Sequence, residues 1–268
     1  MIPIRMLRTT AVAAAALGLV LAGSALADPD GLKHESWNWN GNLGTAHKLE
    51  INGVNGHIEA EPGTGDHVVI TAEKTGRKHD PSVVKIAVHQ DSNGIVVCAE
   101  YPGESSPCKL IGMGFHDRAN DVTVDFHVMV PPGVQFTANT VNGAVHARGL
   151  QGPVKAHTVN GACDIETSRS GQASTVNGAV HAAVGRLDPN DELSFSTVNG
   201  AITLQLPSNL DAELSSSTVN GNIHTDFPIN ISSGWGPRSA SGRIGKGGAR
   251  LSAHTVNGSI RFERVNSL

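Results

Sequence analysis

The chain has 268 residues, a formal net charge of −4, 31 glycines and only 4% aromatic residues. It contains no basic run, so it lacks the clustered Lys and Arg that phosphate-backbone binding needs, and nucleic acid is excluded as a partner. No long stretch keeps a helical period without a Gly or Pro break, and the abundance of Val, Ile, Thr, Ser and Asn predicts an all-β fold with a thin core.

The first residues read as a targeting segment. Arg5 and Arg8 precede an uncharged apolar run from Ala11 to Ala22, and Ala25-Leu26-Ala27 offers small residues at a cleavage site. This predicts a secretory signal peptide over 1–27, and hence an exported chain, periplasmic, surface-bound or secreted. The run falls short of the roughly 20 apolar residues of a membrane span, so the mature chain is expected to have no transmembrane segment. Trp37 and Trp39 follow, alternating with Asn38 and Asn40. Two rings on one strand face either stack on a sugar or partner surface or cap the open end of a repeat stack; the cap is the favoured reading.

A first Asn-Gly unit stands at Val54-Asn55-Gly56. From about Pro62 to Val134 a long excursion carries apolar runs at Val68-Val69-Ile70, Val84/Ile86/Val88, Ile95-Val96-Val97 and Val122/Val124/Phe126/Val128/Val130. Their alternation predicts strands, read as an antiparallel set beside the repeats. Cys98 and Cys108 flank a Pro- and Gly-containing segment, a loop that a disulfide can close in an oxidising compartment.

Thr-Val-Asn-Gly then occurs six times, starting at Thr140, Thr158, Thr175, Thr197, Thr218 and Thr255, with gaps of 18, 17, 22, 21 and 37 residues. The last gap holds either a degenerate unit or a loop around Trp235 to Gly248. After each Gly comes a small or polar residue, an apolar one and a polar one, as in Ala144-Val145-His146 and Ala162-Cys163-Asp164. The apolar slot makes Cys163 a small buried hydrophobe rather than a reactive thiol. Asn and Gly both tolerate positive φ, so each pair is expected to turn the chain sharply. Either it forms a type I′ hairpin, with Thr140 opposite Val145, or it forms one corner of a β-solenoid coil, with the Asn side chains stacked in a ladder. In-register identity of the corner favours the solenoid. The expected corners are Asn55-Gly56, Asn142-Gly143, Asn160-Gly161, Asn177-Gly178, Asn199-Gly200, Asn220-Gly221 and Asn257-Gly258.

These units, together with Val54-Asn55-Gly56-His57-Ile58-Glu59-Ala60, the Pro131-Pro132-Gly133-Val134 step and the closing Thr255 to Arg261, resemble the bacterial exported β-repeat family known as DUF4097 or adhesin-type proteins, related to autotransporter-adhesin-head-like domains. The resemblance covers the chain from about Lys48 to its end. It implies a β-solenoid or β-helix-like stack and a cell-envelope location, and it implies no catalytic residues. With it, the chain divides into the signal peptide at 1–27, an N-terminal β region with the first unit at 28–135, and the repeat region at 136–268, the last two read as one continuous domain over 28–268.

His146, His181 and His224 share one column, three residues after the motif Gly, with Asp164, Thr203, Arg261 and Glu59 in the other units. Histidines on alternate units stand about 9–10 Å apart, too far for one tetrahedral ion, so the column reads as outward polar positions and neither metal nor cofactor is expected. The Gly-rich stretch from Ser233 to Gly248, with Arg238, Arg243, Lys246 and Arg250, reads as a surface loop. The sequence carries no nucleophile elbow, zinc-protease helix or phosphate loop. The expected function is a non-enzymatic adhesin-like scaffold or binding module of the cell envelope, with an envelope protein or a glycan as the partner class. Two alternatives stand beside it: a polysaccharide-acting β-helix enzyme, which needs carboxylates of adjacent coils about 5–9 Å apart, and a metal or envelope-stress sensing module using the histidine column.

Overall fold

The computed structural model describes residues 31–43, 47–103, 108, 120–232 and 237–266; the expected signal peptide lies outside them. The described residues form strands, apart from one short 3-10 turn at Pro81–Val83. The N-terminal part comprises β1 (Lys33–Asn42), β2 (Lys48–Asn52), β3 (Ile58–Pro62), β4 (His67–Gly76), β5 (Lys85–Gln90), β6 (Ile95–Glu100) and β7 (Thr123–Val130). The repeats then supply strands in pairs: β8 (Gln135–Asn139) with β9 (Val145–Leu150), β10 (Val154–His157) with β11 (Cys163–Thr167), β12 (Gly171–Ser174) with β13 (Val180–Val184), and β14 (Glu192–Asn199) with β15 (Ile202–Pro207). There follow β16 (Ala212–Asn220) with β17 (Ile223–Thr225), an excursion through β18 (Asn230–Ser232) and β19 (Arg238–Ile244), and the final pair β20 (Ala249–Asn257) and β21 (Ile260–Val265).

Two mixed sheets result. The first runs β1-β4-β7-β3-β9-β11-β13-β15-β21-β17, and the second β18-β19-β16-β20-β14-β12-β10-β8-β2-β6-β5. The strands flanking each Asn-Gly lie in different sheets and do not pair with each other, which removes the hairpin geometry. Equivalent strands of neighbouring units instead pair in parallel, and the corner asparagines bridge in parallel from Asn55 through Asn142, Asn160 and Asn177 to Asn199. Inward side chains of both sheets make one buried cluster. Phe126, Phe136, Phe195 and Phe262 are its largest members, and Cys163 is fully buried in the slot that Val145, Val180 and Ile202 occupy elsewhere.

The corner explains the motif residue by residue. Thr points inward, and its Oγ1 donates to the Gly carbonyl of the neighbouring layer: Thr158 to Gly143 at 2.8 Å, Thr175 to Gly161 at 2.9 Å, Thr218 to Gly258 at 2.8 Å. Val faces solvent; Val159, Val176, Val198, Val219 and Val256 are all exposed. Asn joins a one-way amide ladder in which each Nδ2 donates to the next Oδ1 at 2.8–2.9 Å, from Asn220 through Asn257, Asn199, Asn177, Asn160 and Asn142 to Asn55. The motif's backbone groups bond across layers as well, as in Asn177 N to Val159 O and Gly178 N to Asn199 O. A stacked corner thus leaves few polar groups unmet.

The glycine is required for a different reason from the one expected. Among the motif glycines only Gly56 has positive φ, at 129°. At the others the backbones stack so closely that a Cβ on Gly178 would sit 1.9 Å from Gly161 O, and one on Gly258 1.9 Å from Gly200 O. The position excludes every side chain because another backbone occupies the space.

Layer order departs from chain order at both ends. β20 lies between β14 and β16, and β21 between β15 and β17, so the last unit in sequence is inserted between the fifth and sixth. The long last gap is the excursion that makes this return possible. The Gly-rich stretch expected to be a loop supplies β19, antiparallel to β16. At the other end β6 and β7 run parallel to β2 and β3 and form one more layer beyond the first unit. Only β1, β4 and β5 add antiparallel strands there, so the expected antiparallel region is mixed. Lys74, nearly buried on β4, donates to Val84 O at 3.0 Å and pairs with Glu35 at 2.9 Å, tying β1 and the 3-10 turn to this end.

Two outcomes follow. Gly178→Ala forces two backbones apart and lowers stability by about 2–3 kcal/mol, whereas Thr175→Val, which removes one hydroxyl bond, costs about 1 kcal/mol; thermal or chemical denaturation ranks them. Deleting residues 249–268 strips β16 and β17 of their parallel neighbours. Hydrogen exchange then finds the protection of Ala212–Asn220 reduced to what its pairing with β19 alone supplies, while β8–β13 stay protected.

Candidate functional site

The stack offers two broad outer faces. On the second sheet the register aligns Asn52, Asn139, His157, Ser174, Ser196, His254, Ser217 and Ser239 in one column. The adjacent column holds Glu50, Thr137, Lys155, Gln172, Ser194, Ser252, Ser215 and Ser241. Period-2 alternation turns these residues outward while Phe136, Ala156, Ala173, Phe195, Ala253 and Leu214 turn in. The face is therefore mostly hydroxyl and amide, with Glu50 and Lys155 its only Asp, Glu, Lys or Arg side chains within the two columns. His157 Nδ1 meets Ser174 Oγ at 2.7 Å, and His254 Nδ1 meets Ser217 Oγ at 2.9 Å. Burial, and secondarily Lys155, depress the His157 pKa, which keeps the imidazole neutral at pH 7. These Ser–His pairs lack the surroundings of an acyl-transfer site. The amides beside Ser174 are committed to neighbouring strands, Thr158 N to Ser174 O and Thr175 N to Ser196 O, and do not converge on an oxyanion.

The first sheet carries the histidine column. Register places His127, Glu59, His146, Asp164, His181, Thr203, Arg261 and His224 side by side. His146 and His181 are two strands apart, as the sequence predicts. His224 is three strands from His181 rather than two, because Arg261 of the inserted unit stands between. His127, brought in by β7, was not legible as a column member. His146 Nδ1 lies 3.6 Å from Asp164 Oδ2, beyond a hydrogen bond, and Asp164 is instead held by Arg148.

Trp37 and Trp39 sit half-buried on the end strand β1 and pack against the core. Cys98 and Cys108 are bonded, with Cα atoms 5.3 Å apart. Cys163 is walled in, and burial pushes its thiol up to about 12. Sequence reasoning missed Asp121. Its carboxylate accepts from the backbone N–H of Arg77, Lys78 and His79 and meets His79 Nδ1 at 2.9 Å, which holds its pKa far below the usual carboxylate range. Nothing in the residues around Asp121 marks it as a clamp.

No family model matches the chain, and no curated protein matches it. Among solved structures it is similar to a "putative cell adhesion protein" from Clostridium sporogenes, at 12% identity and a TM-score of 0.48, covering 87% of this chain and 100% of that one. A "putative adhesin" from Bacteroides fragilis shows 8% identity and a TM-score of 0.33 over 85% and 96%. Another from Parabacteroides merdae shows 13% identity and a TM-score of 0.22 over 86% and 96%. At TM-scores below 0.5, none of these likenesses bears on what the chain does.

The shifted groups set two pH windows. A lowered carboxylate pKa stabilises the fold above the unfolded value of about 3.9 and loses that contribution as pH falls through the folded pKa. Asp121→Asn therefore flattens the acid limb of a melting-temperature profile taken below about pH 4. His157, also lowered, contributes above about pH 6.5 and loses that contribution as pH falls. In His157→Gln, melting temperatures change less between pH 7.5 and pH 5 than in the parent.

Proposed function

We propose that the chain is an exported, non-enzymatic protein of the cell envelope, one continuous domain over 28–268 built as a two-sheeted β-solenoid and acting as an adhesin-like binding module. The observation that carries this reading is the outer face of the second sheet. Its hydroxyl and amide groups are aligned from β2 to β19 by backbone pairing, so a broad polar surface is held without loss of order on contact. These two columns, with few fixed charges and many short donors and acceptors, are complementary to an extended neutral glycan, whose hydroxyls they meet one layer at a time, and the Glu192–Arg250 and Glu213–Arg243 pairs border them on the same face. The parallel layers on both sides of each corner and the one-way asparagine ladder support the solenoid reading. The leader-like first residues support export.

A polysaccharide-acting enzyme finds less support. Carboxylates that neighbouring strands bring forward are engaged by bases: Asp164 by Arg148, Glu192 by Arg250, Glu213 by Arg243. A carboxylate already paired with Arg is not free to face a glycosidic bond.

Co-sedimentation of the purified chain with insoluble neutral polysaccharides, with product analysis of the same mixtures, tests the proposal. The expected result is binding that Ser194→Arg/Ser252→Arg abolishes, that His181→Ala on the other sheet leaves intact, and that releases no oligosaccharide. Release of sugar, or binding indifferent to the two arginines, contradicts it.

A further inference from the structure

On the N-terminal layer of the second sheet, His89, Glu100 and Cys108 each bring one ligand atom within 4.8 Å of the others. Cys108 Sγ is bonded to Cys98 Sγ, which brings a second sulfur next to this group. In the β5–β6 pairing Ala87 faces Cys98, Lys85 faces Glu100 and His89 faces Val96. Alternation therefore places Cys98, Glu100 and His89 on the face opposite the core residues Ile95, Val97 and Ala99, with Cys98 itself covered and buried there. While the sulfurs are bonded to each other neither is a thiolate, and the set offers a metal only an imidazole and a carboxylate.

We propose that Cys98, Cys108, His89 and Glu100 form a redox-gated site for a zinc-like divalent cation, closed by the disulfide and opened by its reduction. A dithiol reductant attacks one sulfur to give a mixed disulfide. Its second thiol then resolves that bond, the reductant leaves as its own disulfide, and two electrons and two protons end on Cys98 and Cys108. Binding of the cation expels both thiol protons to solvent as the thiolates coordinate. Two sulfurs, one nitrogen and one oxygen form a tetrahedral donor set of the kind zinc takes, at about 2.3 Å to sulfur and about 2.0–2.2 Å to nitrogen and oxygen. His89 is exposed and Glu100 half-buried, so a hydrated ion has a way in. Two of the ligands, His89 and Glu100, are fixed on paired strands before any metal arrives. The ion also offsets the charge that two thiolates and Glu100 gather beside Lys85. This site is separate from the histidine column and borders the N-terminal end of the glycan columns, where Asn52 Nδ2 lies 3.8 Å from Cys98 Sγ.

Cobalt(II) titration of the full chain in a Cys163→Ala background, with and without a phosphine reductant, tests the site, with circular dichroism recorded in both states. The reduced chain is expected to keep its β spectrum and to take up a single equivalent of cobalt with thiolate charge-transfer bands, displaced by zinc. The oxidised chain shows no such bands. His89→Ala and Glu100→Gln each weaken binding by at least about tenfold, and Cys98→Ser/Cys108→Ser abolishes the bands. A reduced, folded chain without bands, bands unchanged by both His89→Ala and Glu100→Gln, or a chain that unfolds on reduction would each overturn the proposal.

Discussion

Close stacking of backbone on backbone at the motif corners organises the rest. At each motif corner the Gly backbone rests on the Gly carbonyl of the layer beside it, at a distance that leaves no room for a Cβ. That carbonyl accepts the buried Thr hydroxyl of the resting Gly's own unit, and the Asn amide one residue before the Gly locks the layers from outside. Three residue types thus secure one contact from three sides. Because the contact is between backbones, it fixes both the spacing and the register of the strands that leave the corner. A slip of one residue would turn His146 or Ser174 inward and Val145 or Ala173 outward.

Register is what turns a repetitive core into ordered surfaces. A chain with so few aromatics fills its interior with Val, Ile, Leu, Ala and single phenylalanines, each inward side chain contributing about 1.5–3 kcal/mol on burial for the larger ones. The outward residues carry no such constraint, and they differ between sheets: a His-rich column crosses one, and two hydroxyl- and amide-rich columns beside a line of Arg–Glu pairs cross the other. The ends are handled differently from the middle. At one, β1 brings Trp37 and Trp39 onto the core; at the other, the chain doubles back so that its final motif is sandwiched rather than left as a terminal layer. A terminal layer that must stack on β20 and β21 cannot dock until the C-terminal strands are in place, so closure of this end depends on a contact distant in sequence.

Much of this was legible in the residues. The sixfold Thr-Val-Asn-Gly, the apolar slot holding Cys163, and the strict alternation from Val122 to Val130 predict corner, core and strand from local chemistry. The purpose of Gly was not legible, because a glycine needed for positive φ and one needed for close packing look alike in sequence; only Gly56 has positive φ, and it too is closely packed, against Val124 O. Layer order was not legible either. The corners at Thr197, Thr218 and Thr255 are identical and so do not encode which stacks on which, and only the long gap before Thr255 hinted at something unusual. The cost fell on the candidate site: His224 was placed beside Thr203, whereas Arg261 is its neighbour. His127, Asp121 and the pairing of His89 with Glu100 depend on β5 and β7 being laid beside the repeats, a long-range event with no local signature.

Stacking order is open to a direct test by cysteine cross-linking in a Cys163→Ala background. Adjacent corners stand about 4.8 Å apart and alternate ones about 9–10 Å, so only adjacent pairs fall within disulfide reach. The order described here predicts that Asn199→Cys/Asn257→Cys and Asn257→Cys/Asn220→Cys form disulfides in the folded protein and that Asn199→Cys/Asn220→Cys does not. Efficient cross-linking of the last pair, with none in the first, would contradict it.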